Sequence, residues 1–410
     1  MTRAFFVWLH RWVGLSMAAF LVVVGLTGSL LAFYYELERF ISPQLFATAR
    51  PGVAPLDLAT LAERAEALFP RGRAQEVSVT TPDQIVVHMT PREESDPPLG
   101  FDELFLDPWT GAELGRRASG DLSQGAISLM PFIYNLHWRL AMGDLGFWML
   151  GILAVLWTID CFVGFYLTLP VSRVKFWSRW KPSWLVKWRG GAFRVNFDLH
   201  RASGLWLWPM LFVFAFSSVM MDMRPVYEVA MKAVFPDYRS YREMALSLNR
   251  RPNAHPRLDW RAALARGEAL MAEQAAARGF ATREPLSLQY HERLGAYAYE
   301  MRSDRDISDR PPQGGTGILL DGDTGALLQF LPPKSERLGV TVEHWLYALH
   351  MAHVFGLPYQ IFVFILGLII AMLSGTGVYI WWKKRRGRLH RAQAVSRPIV
   401  SMVESSNDAK

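Results

Sequence analysis

The 410 residues are 51% hydrophobic and 13% aromatic but only 20% charged, which excludes a disordered chain and argues against an ordinary soluble multidomain protein. One cysteine, Cys161, excludes an internal disulfide framework, a thiolate zinc site and a cysteine-ligated iron–sulfur cluster. The formal charge of +7 would suit nucleic acid, but where the basic residues fall removes that partner.

Four apolar runs, 12–35, 145–169, 204–221 and 357–382, are each long enough to span a bilayer, for which roughly 20 residues suffice. The first, within 1–35, reads as a retained anchor: it is too long for a signal peptide, and no small-x-small site closes it at the right distance. The segment 36–144 is rich in acid, including Glu36, Glu38, Glu63, Glu66, Asp102 and Asp107. The 170–203 loop is basic, with Arg173, Lys175, Arg179, Lys181, Lys187, Arg189, Arg194 and Arg201 against Asp198 alone. The tail 383–410 opens with Lys383, Lys384, Arg385, Arg386 and Arg388. Cytoplasmic loops concentrate Lys and Arg, so both termini and 170–203 are expected in the cytoplasm, with 36–144 and 222–356 outside. The basic excess is then a topology signal and a lipid-surface contact, and no nucleic acid is expected.

The chain also repeats itself. Leu9-His10-Arg11-Trp12-Val13-Gly14-Leu15 recurs as Leu199-His200-Arg201-Ala202-Ser203-Gly204-Leu205, and Leu136-His137 recurs as Leu349-His350. Leu56-Asp57 is echoed by Leu258-Asp259, and Asp107-Pro108-Trp109-Thr110-Gly111 by Asp321-Gly322-Asp323-Thr324-Gly325. The offsets, 190, 213, 202 and 214, keep one order along the chain. The expected fold is a mainly α membrane protein: a four-helix transmembrane bundle built from a tandem repeat, each unit reading span, outside module, span. Each outside module is expected to be α+β. The first has a helix over 56–69, strands at 77–80 and 85–88, and a hairpin at 101–111; the second has a helix over 258–277 and strands through 286–302 and 317–331. The stretch 308–315 reads as a loop, and the two Asp-x-x-Thr-Gly turns as structural hairpins needing a glycine with positive φ.

The histidines matter by position. His10 and His200 open the first and third runs, and His137 and His350 precede the second and fourth. If the units are parallel repeats related by an axis along the membrane normal, His10 meets His200 on one side and His137 meets His350 on the other. Two imidazoles converging from different helices in a Trp- and Phe-rich setting suit bis-histidine haem ligation, with Arg11, Arg201 and Arg139 placed for the propionates. The absence of Cys-x-x-Cys-His points to b-type haem, two per chain. Zinc fits less well because no carboxylate or thiolate accompanies each pair at catalytic spacing. Copper is suggested only by Met220, Met221 and Met223, which also suit packing. His353 lies three residues beyond His350 and competes with it as outer ligand, and His344 lies earlier on the same stretch. His88, His255, His291 and His390 have no repeat partner and read as surface residues. Asp160, a carboxylate inside the second run, is a candidate for proton movement or a hydrogen-bonded structural residue.

At these residues the chain resembles the PepSY-associated transmembrane family over nearly its whole length. The resemblance rests on the Leu-His-Arg-x-x-Gly-Leu openings, the Leu-His pairs, the Asp-x-x-Thr-Gly turns, and Ser374-Gly375-Thr376-Gly377 near Trp381-Trp382. It departs at Ala202-Ser203, where the first copy has Trp12-Val13, and at His353. The resemblance implies a bacterial inner-membrane ferrisiderophore reductase whose histidine pairs ligate b-type haem and whose outside modules lie in the periplasm. The corresponding function is electron transfer from a cytoplasmic or quinol donor to a ferric siderophore or other ferric chelate. No flavin or nicotinamide fingerprint is present, so the donor is expected to be external. Two other readings are a non-enzymatic anchor that binds peptides or restrains a protease, and haem or copper handling without turnover.

Overall fold

A computed structural model describes residues 2–93, 95–310 and 314–395, the side chains of 391–395 excepted. The loop expected over 308–315 and the tail 383–410 therefore lie partly outside the described residues.

Among the described residues, three helices are long and apolar enough to cross a membrane: Arg3–Leu31, Gly143–Thr168 and Gly356–His390. Large apolar side chains such as Leu26, Leu30, Trp148, Ile152, Ile361 and Ile365 remain exposed on them, which is the signature of a lipid-facing surface. The run expected over 204–221 is instead a bent pair, with helices Ala192–Trp206 and Trp208–Asp222 meeting at 70°. Pro209 gives the reason. It has no N–H to donate, and its ring crowds the carbonyl four residues earlier, so a straight helix cannot continue through it. The first helix closes with Leu207 N on Ser203 O at 3.0 Å, and the second opens with Leu211 N on Leu207 O at 2.9 Å. The pair passes the same test only when counted as one span.

The chain divides into two compact units. One comprises Met1–Gly25, Leu156–Phe212 and Leu368–Lys410; the other comprises Leu26–Val155 and Val213–Gly367. The first is helical and contains the basic loop, folded as the short helix Phe176–Trp180, the 3-10 turn Lys181–Trp184 and the helix Ala192–Trp206. Buried Asp198 organises that loop: it accepts from Arg194 and Arg201, each at 2.8 Å.

The second unit contains one antiparallel sheet of eight strands: β1 Gly72–Thr81, β2 Gln84–Pro91, β3 Glu103–Leu106, β4 Glu113–Arg117, β5 Thr282–His291, β6 Ala296–Ser303, β7 Thr316–Asp321 and β8 Leu327–Leu331. Their order is β4-β3-β2-β1-β5-β6-β7-β8. Strands expected in two outside modules thus share a sheet, joined where Glu76, Val77 and Ser78 of β1 face Gln289, Leu288 and Ser287 of β5. One face is covered by two helices. Leu58–Leu68 is capped by Asp57, which accepts from Thr60 N at 2.7 Å, and Trp260–Arg278 by Asp259, which accepts from Ala262 N at 2.8 Å. Ala59, Ala62, Ala65 and Ala263 let the helices lie close to the Val77, Val87, Leu288, Tyr299 and Ile318 core. The two Asp-x-x-Thr-Gly turns close on themselves. Asp107 accepts from Trp109 N and Thr110 N, Asp321 from Asp323 N and Thr324 N, and Gly111 and Gly325 take φ of 66° and 69°.

Two short helices of this unit, Leu129–Arg139 and Leu338–His350, precede the second and last spans. Neither continues into its span. Leu140, Ala141 and Gly143 end the first with φ of 55°, 52° and 59°, and Ala352, Phe355 and Gly356 end the second with φ of 55°, 59° and 60°. At the first turn a Cβ on Gly146 would sit 1.7 Å from the Arg139 carbonyl oxygen, so only glycine fits.

Candidate functional site

Within the helical unit, His10 of the first span faces His200 of the helix Ala192–Trp206, with ring centroids 6.1 Å apart and planes at 59°. Within the other unit, His137 faces His350, with centroids 6.3 Å apart and planes at 67°. A metal ligated from both sides needs two metal–nitrogen bonds of about 2.0 Å along the line between the rings, which sets the centroids roughly 6 Å apart. Both pairs have that spacing.

Each ring is held from behind through Nδ1. His10 Nδ1 meets Asp160 Oδ1 at 2.9 Å and Oδ2 at 3.0 Å. His200 Nδ1 meets the Leu373 carbonyl at 3.1 Å and Thr376 Oγ1 at 3.0 Å. His137 Nδ1 meets Thr27 Oγ1 at 3.0 Å, and His350 Nδ1 meets Ser217 Oγ at 2.7 Å. The partners assign tautomers. A carbonyl only accepts, so His200 donates from Nδ1 to Leu373. Ser217 gives its one proton to the Phe214 carbonyl at 3.0 Å, so it accepts from His350 Nδ1. In both rings this leaves the Nε2 lone pair free to ligate a metal. Burial pushes the pKa of His350 down to about 3, with His137 beside it adding to the shift, so its imidazole is neutral. The Phe214 ring stacks on it at 4.9 Å and 29°.

Glycines make the space. A cavity of about 410 Å³ in the helical unit is lined by His10, His200, Asp160, Gly14 and Gly204. Gly14 and Gly204 stand one turn beyond His10 and His200, and a Cβ there would meet nothing within 4 Å at Gly14 and only Leu373 Cδ2, at 3.9 Å, at Gly204. Those are cradle positions, open where a flat ring would lie. Behind the histidines, Cβ atoms on Gly164 and Gly377 would lie 3.5 Å and 3.3 Å from the Cε1 atoms of His10 and His200. Gly28 backs His137 more tightly still, at 3.0 Å.

Arg3, Arg11, Arg201, Lys384 and Arg388 line the same cavity. Arg201 is partly committed, donating to the Pro182 carbonyl at 2.6 Å and to Asp198, while its buried Nε has no partner among the described residues. Arg139, in the other unit, lies over the Trp138 ring at 3.7 Å and likewise has a buried Nε without a partner. Unpaired buried guanidinium donors suit anionic groups such as propionates.

The other sequence candidates fall elsewhere. His353 lies in the turn beyond Leu338–His350; its Nδ1 is buried and has no partner among the described residues, and burial, with Arg310 nearby, pushes its pKa down to about 4. The ring facing His137 is that of His350. His344 bonds its own helix, Nδ1 to the Val340 carbonyl, and packs on Tyr241. Met220 is packed with Val219, Tyr227 and Met231 in a hydrophobic cluster. Among the described residues, no group of three or more His, Cys, Asp or Glu side chains is placed to hold a metal ion. A metal between either histidine pair would take its remaining donors from elsewhere, as one carried in a macrocycle does.

A sequence profile described as the PepSY-associated TM region matches residues 7–384. The chain belongs to that family. It is a membrane protein, and its apolar helices contact the lipid bilayer. A search of curated proteins found no match.

The sequence reading singled out Asp160 without tying it to His10, and it missed the roles of Thr27, Ser217 and the glycines of this PepSY-associated chain, although a signal was present. Thr27 and Ser217 stand at the same 190-residue offset as His10 and His200 and as Gly14 and Gly204. Asp160 and Leu373, and Gly164 and Gly377, share the 213-residue offset of His137 and His350.

Proposed function

We propose that this PepSY-associated protein is a di-haem b membrane reductase that passes electrons to ferric iron in a siderophore-type chelate in the periplasm of a bacterium. The observation that carries the reading is the pair of facing histidines, repeated twice, at 6.1 Å and 6.3 Å, with every Nδ1 engaged from behind. His10 and His200 would hold one haem and His137 and His350 the other. A haem so held supplies one-electron Fe(III)/Fe(II) exchange. The chain's contribution is to fix the imidazole tautomers, open flat space at Gly14 and Gly204, and offer Arg11, Arg201 and Arg139 to the propionates. Reducing the chelated iron by one electron loosens it, since Fe²⁺ binds hard anionic oxygen ligands more weakly than Fe³⁺.

Four spans follow if the bent pair Ala192–Trp206 and Trp208–Asp222 counts as one. Site residues recurring at offsets of 190 and 213 support a tandem repeat. The basic residues of 170–203 and of the segment after 382 support cytoplasmic termini, an inner-membrane location, and periplasmic placement of the eight-stranded sheet. The donor is then a cytoplasmic protein or a quinol.

Oriented vesicles test this. Chemically reduced protein should reduce a ferric hydroxamate on the sheet side, with a ferrous-specific chelator reporting iron there alone. Reduced protein whose spectrum ignores ferric chelates would contradict the assignment.

A further inference from the structure

Of the four histidines, three are held by neutral groups: His137 by the Thr27 hydroxyl, His350 by the Ser217 hydroxyl, and His200 by Thr376 with the Leu373 carbonyl. The fourth, His10, is held by a carboxylate. Asp160 is buried, with 9% of its side chain exposed, and presents both oxygens to His10 Nδ1 at 2.9 Å and 3.0 Å. A carboxylate accepting from Nδ1–H draws the proton toward itself and gives the ring imidazolate character, which makes Nε2 a stronger donor to a metal. Stronger donation and nearby negative charge both favour Fe(III) over Fe(II), so both lower a reduction potential.

We propose that Asp160 is a positioning residue that sets the His10/His200 haem at a lower midpoint potential than the His137/His350 haem; this rests on the di-haem reading above. Opposing charges are present, because Arg3, Arg11, Arg201, Lys384 and Arg388 line the same cavity. They are outweighed for two reasons. Arg201 is already paired with Asp198, Arg3 and Arg11 are only half-buried, and Lys384 and Arg388 are exposed, so the unpaired cations are open to screening, whereas Asp160 touches the ligand itself. The cations also act only through space and leave ligand basicity unchanged. The resulting gap would make electron flow downhill from the first site to the second: iron held by His10 and His200 would give up one electron and iron held by His137 and His350 would take it, with no proton or further reagent consumed.

Redox titration of the full-length protein in detergent, followed by its haem spectrum, tests this. Wild-type protein should show two separated midpoints. Asp160→Asn should keep two haems and move the lower midpoint up toward the other, leaving the upper one in place. Ser217→Ala should shift the upper midpoint by less than Asp160→Asn shifts the lower one. Two haems with both midpoints unmoved in D160N would overturn the proposal. If D160N loses a haem, the ferric electron paramagnetic resonance of wild-type protein decides instead. Two low-spin signals of different anisotropy support unequal imidazole donation, and one shared signal overturns it. Wild-type protein without haem would remove the di-haem reading itself, a failure seen before any variant is made.

Discussion

His137 shows how little freedom the ligand positions have. Its ring is fixed by Thr27 behind Nδ1 and by Gly28 against Cε1. Gly28→Ala places a carbon 3.0 Å from Cε1, closer than side chains normally approach, so the ring must turn away from His350. Alanine is the better helix former by about 1 kcal/mol, so haem lost in this variant reflects ring displacement and not a weakened helix. The expected result is a folded protein with one site depleted or partly high-spin; an unchanged spectrum with full haem content would contradict the packing. Ligand deletions separate the two pairs. His10→Ala or His200→Ala should remove one haem, His137→Ala or His350→Ala the other, and His353→Ala neither. Haem loss from His353→Ala alongside an intact His350→Ala would reverse the outer assignment. The histidines were legible because each opens or precedes an apolar run in a repeated phrase. Thr27, Ser217 and the glycines were not singled out, since a hydroxyl or a glycine inside a span carries no chemistry until a ring is placed against it.

At the scale of elements, the sheet is tied to the helix Tyr34–Ile41 by a buried cation. Arg117 of β4 reaches Glu38 of that helix and Glu103 of β3, both at 2.5 Å, with 3% of its own side chain and 3% of that of Glu38 exposed. Removing it strands two carboxylates away from water. Arg117→Ala should cost about 3–5 kcal/mol in thermal or denaturant unfolding, with local exposure of β4. A cost below about 1 kcal/mol would mean that water reaches the pair. Glu300 of β6 works the other way. Burial, with Glu76 and Asp306 nearby, raises its pKa to about 8 from an ordinary 4.5. The folded form therefore keeps a proton that the unfolded chain has lost. Glu300's contribution is full below about pH 4.5 and declines as pH rises through about 8. Thermal unfolding of wild-type protein should weaken across that window, and Glu300→Gln should flatten the decline; parallel profiles would contradict it. Alternation made individual strands readable, but the β1–β5 junction was not. It joins segments about two hundred residues apart through only three paired positions, and no local pattern announces such an edge. The bend at Leu207 was legible in principle, since Pro209 lies within an otherwise apolar run.

For the whole molecule, the proposed direction of electron flow and the proposed substrate both depend on the proposed cofactor load. Charge placement supports the proposed sides, the recurring phrases the proposed number of sites, and the facing imidazoles the proposed ligand set. Membership in the PepSY-associated family fixes none of these by itself. The decisive measurement is haem stoichiometry on purified, full-length protein from haem-replete cells, by pyridine haemochrome with a dithionite-reduced spectrum. The account predicts about two non-covalent b-type haems per chain, low-spin in both oxidation states, with a sharp α-band on reduction. Folded protein that is colourless, or that carries a single haem unaffected by His10→Ala and by His137→Ala alike, would contradict it.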